Sequence, residues 1–350
     1  MIADKGCIDS IIRKEIQRAN SSEDMFLQQG LAGISLFLFL LYKKTGNSRY
    51  HNEVYEILDI ICQNLKTSDV LEIPKGLTGV SLSLMYLVTE GYVDGNISNI
   101  LKNIDDHIYK TVVCEIDNPK VKDFHKYESS LLDIIVYTAI RLKKTEMDSV
   151  ERNIRERFLL LMIDRLYLNH NSDFYKEPFP GSLHYKIPKF LIAISLASQI
   201  EYCRKRVCHV LEECEHRILA QLPYLGYNRL FLYASVKYLE KNFELNARWQ
   251  QYKDILRDSI NVRQIMDDEI PDNDLFFSKG LTGIYFFMTK VTTDIGSPED
   301  RELIAKRIEM SDLFLRPTDA LIDLYDFHGL DGVLSLILYM QIKVGDEKKN

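Results

Sequence analysis

The sequence predicts an all-α protein, a double-layered helical barrel (α/α toroid) of seven helix pairs. Three observations lead there. Gly-Leu-x-Gly followed by an apolar run occurs four times, the segments between are amphipathic at helical period, and no stretch alternates with the period of two expected of a half-buried strand. The four copies are "QGLAGISLFLFLLY" from Gln29, "KGLTGVSLSLMYLV" from Lys75, "KGLTGIYFFMTKV" from Lys279 and "HGLDGVLSLILYM" from His328. Their first glycines are 46, 204 and 49 residues apart. The middle gap is close to four steps of about 51 residues, so repeat logic places three further units inside it.

In chain order, the first unit is the run after Gly30 followed by "HNEVYEILDIICQNL", which puts Val54, Ile57, Leu58, Ile61 and Leu65 on one helical face. The second is the run after Gly76 followed by "SNILKNIDDHIYKTVV", with Leu101, Ile104, Ile108 and Val112 on one face. The third, "YESSLLDIIVYTAIRL" from Tyr127, keeps the apolar run without a glycine. The fourth, "PFPGSLHYKIPKFLIAISLA", carries Gly181 and His184, and the fifth, "LPYLGYNRLFLYASVKYL", carries Gly226. The sixth follows Gly280, with "RELIAKRIEMSDLFL" as its amphipathic partner, and the seventh follows Gly329. Segments with one polar face read as outer helices, and the post-glycine runs, apolar nearly all round, as buried inner ones.

Stacked helix pairs build an open solenoid or a closed ring. The inner runs are too apolar to line an exposed concave face, and the first and last units lack charged capping faces. Both features favour a ring, one domain over residues 1–350, in which the inner helices near residues 34–42 and 333–340 are neighbours. The glycines would permit close packing where the chain turns into each inner helix. Helix N-termini, with unpaired N–H groups, would gather at one mouth. Lys75, Lys279 and His328, each just before a first glycine, would face it.

The 350 residues carry a net charge of −7 and are 46% hydrophobic, an ordinary globular composition. The acidic balance, with no basic cluster interleaved with aromatics, argues against nucleic-acid binding. The polar N-terminus lacks the apolar core of a secretory signal, and the longest apolar run falls far short of the ~20 residues of a membrane span. A cytoplasmic protein is expected. Of the six cysteines, Cys7, Cys62 and Cys114 are scattered, and Cys203, Cys208 and Cys214 lie in "ASQIEYCRKRVCHVLEECEHRILAQL", which reads as one long helix. On it Cys203 and Cys208 are roughly 140° apart, Cys214 lies about 16 Å along the axis from Cys203, and His209 points elsewhere. One ion cannot be gripped by that set, so reduced thiols are expected.

The seven apexes, each opening an inner helix, resemble those of the lanthionine synthetase C-like proteins (lanthipeptide cyclases), over residues 29–340. In that family the cyclases are zinc enzymes that add a cysteine thiol of a precursor peptide to a dehydrated serine or threonine. The zinc holds the thiol as thiolate near neutral pH. The resemblance implies one Cys ligand from a Trp-Cys-x-Gly apex in the fifth unit and a Cys-His pair from a Cys-His-Gly apex in the sixth. Here the fifth apex reads "PYLG", placing Tyr224 at the Cys position, and the sixth reads "FSKG", placing Ser278 and Lys279 at the Cys and His positions. The expectation is a divergent member with no metal and no cofactor. The resemblance also makes His184, in "GSLHYKIP", the match of a family His that is a candidate acid/base, and Glu128, in "KYESSLL", the match of an acidic residue of the third unit. His328, with Asp326 and Asp331 nearby, is a further apex His. Polar residues at loop–helix junctions would look the same.

Three functions follow as expectations. The first is a zinc-free relative that handles a precursor peptide or a modifying enzyme in lanthipeptide-like biosynthesis without forming thioethers. It would bind through Lys75, Lys279, His328 and Tyr224, with an acidic peptide best matched to lysines and helix N-termini. The second is a metal-free cyclase or other enzyme using His184, Glu128 and Lys279, the lysine stabilising a developing enolate. The third is an unrelated α/α-toroid carbohydrate-active enzyme, which needs paired carboxylates. Glu72, Glu128 and Asp331 lie near apexes but form no convincing pair.

Overall fold

The computed structural model describes residues 13, 14, 17, 24–27, 30–64, 70–116, 128–169, 172–179, 181–272 and 274–315. Among these every regular element is helical and none is a strand. The chain forms two compact units, Met1–Lys66 with Asn261–Asn350, and Thr67–Ile260.

The first unit begins with α1 (Leu31–Thr45), an inner helix whose Leu31, Ile34, Phe37 and Leu38 are all buried. It pairs with α2 (Ser48–Asn64), which buries Val54, Ile57, Leu58 and Ile61 along the face that the sequence indicates. Leu65 lies outside the described residues. Each such side chain contributes about 1.5–3 kcal/mol by leaving water.

In the second unit, inner helices α3 (Leu77–Thr89), α5 (Glu128–Lys144), α7 (Lys186–Ala197) and α9 (Gly226–Glu240) alternate with α4 (Ile97–Thr111), α6 (Ser149–Asn169), α8 (Glu201–Leu219) and α10 (Ala247–Asp258). The outer α4 buries Leu101, Ile104 and Ile108, with Val112 just beyond its end. Asparagine caps start two of them. Asn96 accepts from Asn99 N ahead of α4, and Asn246 accepts from Arg248 N and Trp249 N ahead of α10, so N–H groups that no helical carbonyl can reach are satisfied.

The first unit resumes with α11 (Leu281–Phe286), which widens into a π turn at Phe287–Val291, and α12 (Pro298–Glu309). The latter opens with a Ser297–Asp300 capping box and proline in its first turn.

The repeated glycines have one physical cause. Gly30, Gly76 and Gly280 have extended φ of −140°, −144° and −129°, which any residue adopts. What excludes a side chain is backbone. A Cβ would lie 2.4 Å from Asp24 O, 2.4 Å from Val70 O and 2.2 Å from Asp274 O. Those carbonyls accept from the first helical N–H, Leu31 N at 2.8 Å, Leu77 N at 3.1 Å and Leu281 N at 2.7 Å. The threonine that follows locks the same turn, Thr78 Oγ1 donating to Leu71 O at 2.7 Å and Thr282 Oγ1 to Leu275 O at 2.6 Å.

Two expectations need correction. The cysteines do share one long helix, but that helix starts later than the stretch as read. Inner α7 ends at Ala197, residues 198–200 turn, and α8 starts at Glu201. There Ser198 Oγ donates to Ser195 O at 2.8 Å, competing for helical backbone. Gly181 does not open α7. It lies in the preceding loop against Tyr227, where a Cβ would sit 3.0 Å from the Tyr227 Cβ. The sixth inner helix runs through its π turn to Val291, as the sequence predicts, and closes with Thr292 N donating to Phe287 O at 2.7 Å. The seventh unit, with Gly329 and residues 333–340, lies outside the described residues.

Candidate functional site

In the second unit the starts of the inner helices are cross-linked by charge. Glu128, the first residue of α5, is wholly buried, and Lys186, the first residue of α7, places Nζ 2.5 Å from Glu128 Oε2. One turn on, Lys189 Nζ lies 2.8 Å from Asp133 Oδ1, whose Oδ2 accepts from Ile73 N at 3.0 Å in the loop before α3. Buried carboxylates are tolerable only when paired in this way. Each of these carboxylates faces a lysine.

A second network shapes the loop before α9. Glu177 accepts from Tyr224 N at 2.6 Å, Leu225 N at 2.8 Å and Asn228 Nδ2 at 2.9 Å. Leu225 cannot cap α9 with its own side chain, so a carboxylate from the preceding unit does, where the helix dipole favours negative charge. Buried Asn228 also donates to Pro178 O at 3.1 Å and accepts from Ser182 N at 3.1 Å. Arg229 completes the frame, donating to Pro223 O, Tyr224 O and Ser259 O at 2.6, 2.8 and 2.9 Å. Tyr185 is buried beside this frame. Its burial, then the Glu177 charge, raises its phenol well above the ordinary tyrosine range. The Tyr224 backbone is therefore held on both sides while its ring is 83% exposed, and Phe179, two residues after Glu177, is 84% exposed.

Glu128, His184, Tyr224 and Lys75 all belong to this second unit. His184 is exposed two residues before Lys186, its N–H donating to Ser182 Oγ at 3.1 Å. Lys75 is exposed beside Gly76, and Glu72 is half-buried. Ser278 and Lys279 belong to the other unit, where Lys279 Nζ lies 3.5 Å from Asp274 Oδ2 and 5.0 Å from the centre of the Phe276 ring. His328, Asp326 and Asp331 lie outside the described residues.

Local sequence reasoning missed Lys186, Lys189, Glu177, Asn228 and Phe179. A signal existed for the first two. They are charged residues three apart on an otherwise apolar inner helix, and the preceding inner helix carries Glu128 and Asp133.

Two thiols of α8, Cys203 and Cys214, are not poised for chemistry. Burial, with Glu156 and Asp164 nearby, pushes Cys203 up to about 12, and burial raises Cys214 as well. Thiolate, the nucleophilic and metal-binding form, is thereby disfavoured. Among the described residues no three His, Cys, Asp or Glu side chains are grouped to hold a metal ion, and no helix is long and apolar enough to cross a membrane.

Residues 21–152 match the family model described as lanthionine synthetase C-like protein, a stretch spanning the first three inner helices and Glu128. Among the described residues every regular element is helical, in keeping with the all-α class that the sequence predicts. No curated protein and no solved structure matches the chain.

Proposed function

We propose that this chain, whose match over residues 21–152 supports membership in the lanthionine synthetase C-like family, is a zinc-free relative of the cyclases that holds a peptide during peptide modification without forming a thioether. The carrying observation is donor chemistry. The positions that the sequence resemblance sets against the family's zinc ligands, Tyr224, Ser278 and Lys279, carry an exposed phenol, a hydroxyl and an ammonium. Zinc takes thiolate, imidazole or carboxylate. Tyr224 directs its ring to water while its backbone is consumed by Glu177 and Arg229. Lys279 would add positive charge beside a dication. A phenol, a hydroxyl and an ammonium do not fit zinc.

In this reading Glu128 is a positioning residue, holding Lys186 at the mouth of α7, and His184 is a solvent-facing contact for ligand. Exposed Phe179 and Tyr224 on a rigid frame supply aromatic contact area at little entropic cost. Lys75 offers its charge to acidic side chains, with Lys279 and His328 contributing from their own apexes. The same reading takes residues 1–350 as one ring acting in the cytoplasm, the partner being the precursor peptide or its modifying enzyme.

The test is a synthetic peptide carrying dehydroalanine and cysteine, incubated with the protein and added zinc, then alkylated and weighed by mass spectrometry. The peptide cysteine is expected to stay alkylatable at the rate seen without protein. A protected cysteine at unchanged peptide mass would show thioether formation and overturn the reading.

A further inference from the structure

We infer that a cavity of about 1040 Å³ between α4, α5 and α6 is a second binding site, one that takes a basic, partly apolar peptide segment. It lies among the outer helices of the second unit, and it does not rest on the apex reading.

The floor is a buried polar network. Asp105, a buried residue of α4, accepts from Tyr137 Oη and from Arg155 Nη2 at 2.7 Å, and Arg141 Nε lies 3.4 Å away. Arg155 also lies 2.8 Å from Glu151 and Arg141 3.6 Å from it. Two guanidinium groups therefore face two carboxylates, and the floor has no cation to spare for an anionic ligand. The rim is different. Asp106, Glu146 and Asp148 are exposed there against a single Lys102, with Asp148 also accepting from Val150 N at 2.9 Å and Glu151 N at 2.8 Å as it caps α6. The charge of the rim is net negative, and it complements a cation.

One wall is apolar where an outer helix should be polar. The core face of α6 is accounted for by Leu159, Met162, Ile163 and Leu166, all buried. A second stripe, Val150, Ile154 and Phe158, runs at intervals of four into the cavity, with Val150 68% and Ile154 50% exposed. Tyr109 of α4 continues it, its ring 5.2 Å from that of Phe158. Exposed aliphatic and aromatic side chains at this spacing, beside an acidic rim, match a segment that alternates Lys or Arg with Leu or Phe. The volume, at the upper end for ligand pockets, suits several side chains of such a segment.

The experiment measures fluorescence polarisation of a labelled peptide of alternating lysine and leucine with the full chain, and of a control with glutamate replacing lysine. The lysine peptide is expected to bind, more weakly as salt rises, and the control not to bind. Ile154→Glu, and separately the pair Asp106→Lys and Glu146→Lys, should each weaken binding by about tenfold or more. Val150→Glu probes the same wall from a more exposed position should Ile154→Glu fail to fold. Tyr224→Ala should leave this affinity unchanged, which separates the site from the apex. Equal binding of the glutamate control, or undiminished binding by the wall variants, would overturn the proposal. So would a dimer detected by light scattering that Val150→Glu abolishes, since a second copy would then cover the face.

Discussion

Lys186 Nζ lies 2.5 Å from Glu128 Oε2, joining the first residue of α7 to the first residue of α5. The two ends of this pair are unequal. Glu128 is wholly buried, while Lys186 keeps a side-chain exposure of 28%. Removing the lysine strands a carboxylate away from water, whereas removing the carboxylate leaves an ammonium that can reach it. Lys186→Met is expected to cost about 3 kcal/mol and Glu128→Gln about 1 kcal/mol by urea denaturation. The double variant Glu128→Leu/Lys186→Met should cost less than the sum of its parts.

At the glycine apexes the obstacle to a side chain is a carbonyl oxygen. Gly76→Ala brings a Cβ to 2.4 Å from Val70 O, and backbone cannot swing aside as a side chain would. It should cost about 3 kcal/mol. Gly46 ends α1 with φ +67° and nothing near its Cβ, so Gly46→Ala should cost only about 1 kcal/mol of left-handed strain. Chemical denaturation of both variants checks the order.

Asn228 ties three segments together, so Asn228→Ala removes bonds to Glu177, Pro178 and Ser182 at once. A loss of about 2 kcal/mol is expected. Hydrogen exchange should quicken at the Ser182 and Tyr224 amides while the α3 amides stay protected.

Two carboxylates should give opposite pH slopes. At Asp300 burial alone would raise the pKa, but the Ser297 backbone N–H, Arg263 and the Ser297 hydroxyl outweigh it and the net shift is downward. The unfolded chain then holds that proton more tightly. The stability it gives is present above 3.8 and lost as pH falls through the lower folded value. Asp300→Ala should flatten the loss of stability in acid. At Asp105 burial prevails over Arg155, Tyr137 and Arg141, and the shift is upward. The folded chain holds that proton more tightly, so stability falls as pH rises from 3.8 through the raised value. Asp105→Asn should remove that slope. Urea midpoints measured across acid pH distinguish the two.

The helix pairs were legible because their constraints are local. A carbonyl within 2.4 Å of a Cβ permits only glycine at Gly30, Gly76 and Gly280, and the buried faces of α2 and α4 repeat at helical period. The start of α7 was less so. Pro188, tolerated only in a first turn, marks it better than Gly181 does. The break after Ala197 carries neither glycine nor proline, so no local signal marked it. The site was partly legible. Glu128 was found, but its partner is 58 residues away, and Glu177 reaches Asn228 across 51. Those distances are about one repeat, so each bond joins successive units and leaves no trace in either alone.

The most direct measurement for the central claim is binding of a fluorescein-labelled acidic peptide containing serine, threonine and cysteine. It compares the wild-type chain with Phe179→Ala/Tyr224→Ala and with Lys75→Glu. All three positions are exposed, so circular dichroism should not change. The account predicts binding without added metal, weakened by about tenfold or more in each variant. Binding that needs zinc, or that survives both variants undiminished, would contradict it.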